Sequence, residues 1–185
     1  MKTLEVRRHS MRKTGGGSQL SQPGVAYARA LGATLGPFAC VVTSIAPRAR
    51  ETALAMGFAV DHEIVSAPDD DAIYAELEGS RWWEASQPFV EAAAIAATQG
   101  TAWRYAQKLL AAWRDMLTPL LAGSTALFIG HSGELELALV AAFPRADHAQ
   151  WGGCFSHCEG ARLTFAGEPA RFTDLHLLRR EIICA

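Results

Sequence analysis

The sequence has no surplus of basic residues and no long apolar segment. Its 185 residues carry 17 Lys and Arg against 19 Asp and Glu, a formal net charge of −2. Proteins that bind nucleic acid or an anionic membrane usually show a basic excess, so neither partner is expected. No apolar run approaches the roughly 20 residues that cross a bilayer, and the N-terminus becomes charged too early for a signal peptide. We therefore expect a cytoplasmic protein, and the sequence leaves its oligomeric state open.

Cysteine is scarce as well. The four cysteines, Cys40, Cys154, Cys158 and Cys184, are irregularly spaced, which argues against a disulfide framework. His157 lies between Cys154 and Cys158, but a structural zinc site needs a fourth ligand and usually a second close pair. We expect ordinary thiols, no bound metal and no cofactor.

Strand-like and helix-like segments alternate along a chain of the length of one ordinary domain, residues 1–185. Buried strands are predicted at residues 3–8, 39–43 and 125–130, with two more strands at 161–166 and 171–178. Helices are predicted after Ser21, from Pro47 to near Gly57, and at residues 102–121 and 133–142. This order predicts an α/β fold of three layers, a mainly parallel sheet with helices on both faces. The active site is expected beyond the carboxyl ends of the strands.

One stretch, residues 66–100, shows no strand pattern. It mixes acidic residues with Tyr74, Trp82, Trp83 and Phe89 before an alanine-rich segment. We interpret it as a small helical cap inserted over the site.

Two histidines and two arginines follow the predicted strands. His9 comes directly after Arg8 at the end of the first strand, Arg48 begins a helix after the second, and His131 follows strand 125–130. Arginine can bind two phosphoryl oxygens at once, and a neutral imidazole can attack phosphorus while a protonated one stabilises charge. The constellation predicts a phosphate site in which His9 and His131 share these roles.

These residues stand in segments that resemble the histidine phosphatase superfamily, also called phosphoglycerate mutase-like, over essentially the whole chain. The similar segments, in order, are Arg8-His9-Ser10, Leu20-Ser21-Gln22-Pro23-Gly24, Ser44-x3-Arg48-Ala49-x2-Thr52-Ala53 and His131-Ser132-Gly133. The resemblance implies that His9 is the phosphorylated nucleophile. It also implies that Arg8, Arg48, His131 and the adjacent Ser132 form the phosphate pocket.

Four positions depart from the family pattern. Ser10 replaces a glycine, Ile45 a proline and Ser132 a glycine, and Gly15 stands where many members carry an asparagine that contacts phosphate. The pocket is therefore expected to be slightly reshaped, with all of its charged members present.

The proton donor to the leaving group is harder to assign. The family usually supplies a glutamate from an acid loop, and residues 75–84 resemble that loop with Glu76 best placed and Glu78 next. Glu134 is a third candidate, because other branches place their acid just after the second histidine. We assign Glu76 as the general acid and keep the other two as alternatives.

The resemblance implies a hydrolase: a metal-independent phosphatase that acts through a phosphohistidine intermediate. The expected substrate is a phosphorylated small molecule, as a phosphomonoester, or a phosphoprotein such as a phosphohistidine protein. The short loop and small cap resemble the compact phosphatase branch. Two alternatives stay open at this point: phosphoglycerate mutase-type phosphoryl transfer, and a non-catalytic module that binds a phosphorylated ligand.

Overall fold

The computed structural model of the protein describes residues 1–15, 17–65, 76 and 81–180. In these residues the strands are β1 (Lys2–Arg8), β2 (Cys40–Ser44), β3 (His62–Ile64), β4 (Thr125–Gly130), β5 (Gly160–Ala166) and β6 (Arg171–Leu178). The α-helices are α1 (Gln22–Gly32), α2 (Pro47–Ala55), α3 (Pro88–Ala97), α4 (Thr101–Leu117) and α5 (Glu134–Ala142). Short 3-10 turns cover Trp82–Glu84 and His148–Trp151.

The strands form one mixed sheet in the order β3-β2-β4-β1-β5-β6. The first four are parallel to one another, whereas β5 runs antiparallel to β1 and β6 antiparallel to β5. The two central strands, β1 and β4, are paired in register up to Arg8 and Gly130. The predicted α/β fold with a mainly parallel sheet is therefore confirmed.

Helices cover both faces of the sheet. Alternate residues of β4 contact the helices on opposite faces. Ala126 and Phe128 pack into the cluster that holds α3, α4 and α5, whereas Leu127 and Ile129 pack against α1 and α2. Because successive side chains of a strand point to opposite faces, a strand buried on both faces has to be apolar throughout. None of the helices within the described ranges combines the length and apolar character that a membrane crossing requires.

Two elements differ from the sequence-based expectation. The edge strand β3 was not predicted, because it is only three residues long and two of them, His62 and Glu63, are polar and exposed. The helix predicted to run to residue 121 ends at Leu117. Pro119 explains this end, since proline has no N–H to donate and clashes with the preceding turn.

The helical cap predicted at residues 66–100 lies partly outside the described residues. Its described part contains a 3-10 turn and α3, and Trp82, Phe89 and the buried face of α3 pack into the main core. The Phe89 ring lies 5.2 Å from that of Trp151. That the insert closes over the site stays a prediction.

The first turn of α1 fixes the chain that follows His9. Ser21 caps the helix as predicted, with its hydroxyl accepting from the backbone N–H of Gly24 at 3.1 Å. The Ser10 hydroxyl donates to the carbonyl oxygen of Gly24 at 2.8 Å. A Cβ on Gly24 would lie 2.1 Å from the carbonyl oxygen of Met11, so only glycine fits.

We predict that Gly24→Ala lowers the free energy of unfolding by about 1–3 kcal/mol, because a methyl group forced against backbone must displace it. Helix propensity alone predicts the opposite, since alanine is favoured over glycine in a helix. Urea unfolding followed by circular dichroism measures the change. Gly153→Ala is the matched control, because a Cβ there meets nothing within 4 Å. Equal effects of the two substitutions would contradict the account.

Candidate active site

His9 lies at the carboxyl end of β1, where its ring is held in one orientation. The backbone N–H of His9 donates to Gly130 O at 2.9 Å, which continues the pairing of β1 with β4. The ring atom Nδ1 lies 2.6 Å from Ser10 O. A carbonyl oxygen can only accept, so Nδ1 carries the proton and Nε2 keeps its lone pair.

The His9 ring is neutral at physiological pH. Burial is the main cause that lowers its pKa to about 4, opposed by the hydrogen bond to Ser10 and reinforced by Arg48 and Arg8. Both arginines act in the same direction because a positive neighbour disfavours the imidazolium. The result is an unprotonated nitrogen beside two guanidinium groups.

His131 follows β4, and its ring centroid lies 5.1 Å from that of His9. Arg48 Nε donates to His131 Nδ1 at 3.2 Å, so the proton of His131 is on Nε2 and is donated to Ser44 Oγ at 2.7 Å. Burial and the charge of Arg48 lower the pKa of His131 to about 3. A protonated imidazole was predicted to stabilise the charge on the phosphoryl oxygens, whereas His131 is neutral in this structure.

Arg48 is positioned by the helix it begins. Its NH1 donates to Ser18 Oγ at 3.0 Å, which ties the site to the loop before α1. Thr52, one turn later, donates its hydroxyl to Arg48 O at 2.6 Å and accepts from the backbone N–H of Ser10 at 2.9 Å. Thr52 thus connects the start of α2, where Arg48 lies, to the backbone that follows His9.

Arg8 carries a second guanidinium to the same place. Its NH1 donates to Phe155 O at 2.6 Å. Its Nε is buried and has no hydrogen-bond partner within the part of the chain that the structure describes. A buried cationic N–H without an acceptor is a ready donor to an anion.

Ser132, predicted to contact the phosphate, bonds to Glu136 in this structure. Its hydroxyl donates to Glu136 Oε1 at 2.8 Å, and the other oxygen of that carboxylate accepts from Gly133 N at 2.6 Å. Glu136 also accepts from Phe155 N at 2.8 Å, so it joins the start of α5 to the residue that holds Arg8. A phosphate contact from the Ser132 hydroxyl would have to replace its bond to Glu136.

The three glutamates considered as proton donors are placed differently. Glu76 Oε2 accepts from the backbone N–H groups of Thr101 and Ala102 at 2.8 and 3.1 Å, so Glu76 caps α4. Glu78 lies outside the described residues. Glu134 is buried, and its carboxylate accepts from His131 N and from the hydroxyl of Tyr105, each at 2.7 Å. Of the two described glutamates, Glu134 is the one bonded to a histidine of the site.

Two residues that contact the histidines of the site, Ser44 and His157, had no role in the sequence-based interpretation. Ser44 belongs to the quoted motif, and its contact with His131 follows from the meeting of β2 and β4. His157 had no predicted partner, but its ring centroid lies 6.1 Å from that of His9. It comes from the loop before β5, and no periodicity or spacing places that loop beside β1. Within the described ranges no three His, Cys, Asp or Glu side chains group as a metal site would require, so Cys154, His157 and Cys158 do not form one.

Two imidazoles and two arginines meet near the carboxyl ends of the parallel strands of an α/β fold, an arrangement suited to phosphoryl transfer. Residues 5–176 match the model of the histidine phosphatase superfamily (branch 1), and the chain belongs to that superfamily. Membership confirms the predicted family and the predicted class of enzyme, a phosphatase.

Solved structures with the same fold align over nearly the whole chain. A mycobacterial glucosyl-3-phosphoglycerate phosphatase in complex with VO3 is 18% identical with a TM-score of 0.62, covering 98% of this chain and 100% of that one. A mutant phosphoserine phosphatase from Entamoeba histolytica in complex with phosphoserine is 15% identical with a TM-score of 0.62, covering 95% and 96%. The same organism's phosphoserine phosphatase with 3-phosphoglyceric acid is 15% identical with a TM-score of 0.59, covering 98% of each chain. Comparison with curated protein sequences gives no match.

The low pKa of His9 predicts a loss of stability in mild acid. The unfolded imidazole takes up a proton below its ordinary pKa of 6.5, whereas the folded one does so only near 4. The unfolded state therefore binds more protons between these values, and stability falls as the pH is lowered from about 6.5 towards 4. For His9 the loss is about 2 kcal/mol at pH 5.

We expect His9→Asn, which keeps a donor for Ser10 O but does not titrate, to lose about 2 kcal/mol less than wild type between pH 7.5 and 5. Urea midpoints at the two pH values measure the difference. His62→Asn, at an exposed histidine, is expected to behave as wild type. The same pH dependence in wild type and His9→Asn would contradict a neutral buried imidazole.

Proposed function

We propose that the protein is a metal-independent phosphatase that transfers a phosphoryl group from its substrate to His9 Nε2 and then to water. The bonding of His9 carries this proposal. Its Nδ1 proton is bound to Ser10 O, its low pKa keeps Nε2 unprotonated, and Arg8 and Arg48 are close enough to act on that pKa. An oriented neutral imidazole between two guanidiniums is suited to attack an anionic phosphorus centre.

The reaction has two displacements at phosphorus. In the first, the Nε2 lone pair forms a P–N bond while the P–O bond to the leaving group breaks, and the leaving oxygen takes a proton from the general acid. In the second, water attacks phosphorus and gives a proton to the conjugate base of that acid. The electron pair of the P–N bond returns to Nε2, which releases inorganic phosphate.

The phosphoryl oxygens are held by Arg8, Arg48 and His131 in this proposal. The buried Nε of Arg8 supports its part, because an anionic oxygen would supply the acceptor that the described residues do not. A bound dianion also opposes the effect of the arginines on His131, since opposite charge raises the pKa of an imidazole. Ser132 also contacts the phosphoryl group if its hydroxyl donates to the phosphate instead of to Glu136.

The proton donor is Glu76, as predicted from the sequence, or one of the two alternatives, Glu78 and Glu134. The contact of Glu134 with His131 N supports Glu134, whereas Glu76 accepts from two backbone N–H groups at the start of α4.

A phosphorylated small molecule is the substrate that the comparisons favour. The similar structures are those of phosphatases named for glucosyl-3-phosphoglycerate and phosphoserine, which are phosphomonoesters. A phosphohistidine protein is the second candidate. A leaving imidazole needs less help from an acid than an alkoxide does, so such a substrate depends less on which glutamate is the proton donor.

The function is tested by hydrolysis of 4-nitrophenyl phosphate in the presence of EDTA. Wild type is expected to turn over without added metal, and His9→Ala to have no activity. Arg48→Lys is expected to lower kcat/KM about 10- to 100-fold, because lysine keeps the charge but cannot bind two oxygens and contact His131 together.

Arg50→Lys is the control on the same helix, since Arg50 is exposed and pairs with Glu63 at 3.4 Å. It is expected to retain the wild-type rate. Full activity of His9→Ala, or equal effects at positions 48 and 50, would contradict the assignment.

The proton donor is identified by the dependence of the rate on the leaving group. Replacing the true acid, by Glu76→Gln, Glu78→Gln or Glu134→Gln, is expected to lower hydrolysis of an alkyl phosphate about 100-fold or more. Hydrolysis of 4-nitrophenyl phosphate is expected to fall much less, because nitrophenolate departs without a proton. A variant that slows the two esters equally acts through structure. If each of the three variants does so, none of the three glutamates is the acid.

A further inference from the structure

A loop of residues 11–21, described except for residue 16, leaves the site next to His9 and returns to α1. Its two sides are tied together, since Arg12 and Leu20 form an antiparallel bridge and Lys13 N donates to Gln19 O at 3.0 Å. The backbone N–H of Leu20 also donates to Glu51 Oε2 at 2.6 Å. The backbone of Arg12 and Lys13 is therefore fixed relative to α1 and α2.

The side chains of Arg12 and Lys13 line a cavity of about 880 Å³, together with Thr14, Ser21 and His157. The cavity adjoins the proposed nucleophile, because the ring of His157 lies 6.1 Å from that of His9. Among the described residues that line it, none is acidic. Neither Arg12 nor Lys13 forms an ion pair with a carboxylate in the described ranges.

Further positive charge lies behind the cavity. Arg180 NH2 donates to His157 O at 3.1 Å, and its guanidinium lies over the ring of Tyr27 at 4.4 Å. Burial, then Arg8 and Arg180, lower the pKa of His157, so its imidazole stays neutral and the field around it is positive. Arg12 and Lys13 thus line the cavity, while Arg8 and Arg180 act on His157 at its edge, and an anion placed there is attracted by all four cations.

In the proposed mechanism Arg8, Arg48 and His131 bind the phosphoryl group, so Arg12, Lys13 and Arg180 are available to another part of the substrate. We propose that the cavity of Arg12, Lys13 and His157 binds a second anionic group, a carboxylate or a second phosphoryl group, on the leaving-group side of a small phosphomonoester. This inference rests on the proposed phosphatase function and names its substrate class. Phosphomonoesters with such a group are hydrolysed in preference to neutral analogues.

The test compares substrates that differ only in the second anion. The carboxylate pair is 3-phosphoglycerate against glycerol 3-phosphate, and the phosphate pair is propane-1,3-diol bisphosphate against propyl phosphate. Wild type is expected to prefer the doubly anionic member of at least one pair by about tenfold in kcat/KM, and the pair that shows it identifies the anion. The preference is expected to shrink as ionic strength rises.

The double variant Arg12→Ser, Lys13→Ser is expected to reduce that preference to less than about threefold, because the exposed cations that produce it are gone. Lys108→Gln is the control, since Lys108 is an exposed cation on α4 that does not line the cavity. It is expected to keep both the preference and the wild-type rate.

The outcomes separate the two proposals. If wild type hydrolyses glycerol 3-phosphate as fast as 3-phosphoglycerate and propyl phosphate as fast as the bisphosphate, the anion subsite is wrong and the phosphatase function stands. The same holds if the double variant keeps the wild-type preference, or if a phosphohistidine protein is turned over and no ester is. If wild type hydrolyses no phosphorylated compound at all, the proposed function itself is wrong.

Discussion

The parallel pairing of β1 with β4 is the constraint on which the rest of the site depends. It places Arg8 opposite Gly130, so that the next residues, His9 and His131, leave neighbouring strands at the same edge with their rings 5.1 Å apart. Burial at this edge keeps both imidazoles neutral beside Arg48, which could not be so close to two imidazolium rings. The fold thus supplies both the position and the protonation state that a nitrogen nucleophile needs.

Much of the fold could be predicted because its central strands are buried on both faces. An apolar run such as residues 125–130 has few alternatives to an interior strand, and strand β4 has those bounds. The edge strand β3 gave no such signal, since an edge needs little apolar surface. The end of α4 at Leu117 could have been predicted, because Pro119 is visible in the sequence.

The site was predictable where a residue directly follows a strand or begins a helix. His9, His131 and Arg48 are of this kind, and their mutual contacts follow from the order of the strands. His157 is not, because it reaches His9 through the return of β5 along β1, a long-range antiparallel pairing that local sequence does not encode. The capping contacts of Glu76 were equally invisible, since they join two segments 25 residues apart.

The central claim is that His9 attacks phosphorus through Nε2 because Nδ1 is bound to Ser10 O. The most direct measurement is to trap the phosphorylated protein during turnover, locate the phosphate by mass spectrometry and determine the nitrogen by ¹⁵N–³¹P NMR. The account predicts one phosphoryl group, on His9, attached to Nε2. Phosphate on Nδ1 of His9, on His131 or on His157, or turnover without any phosphorylated protein, would contradict it.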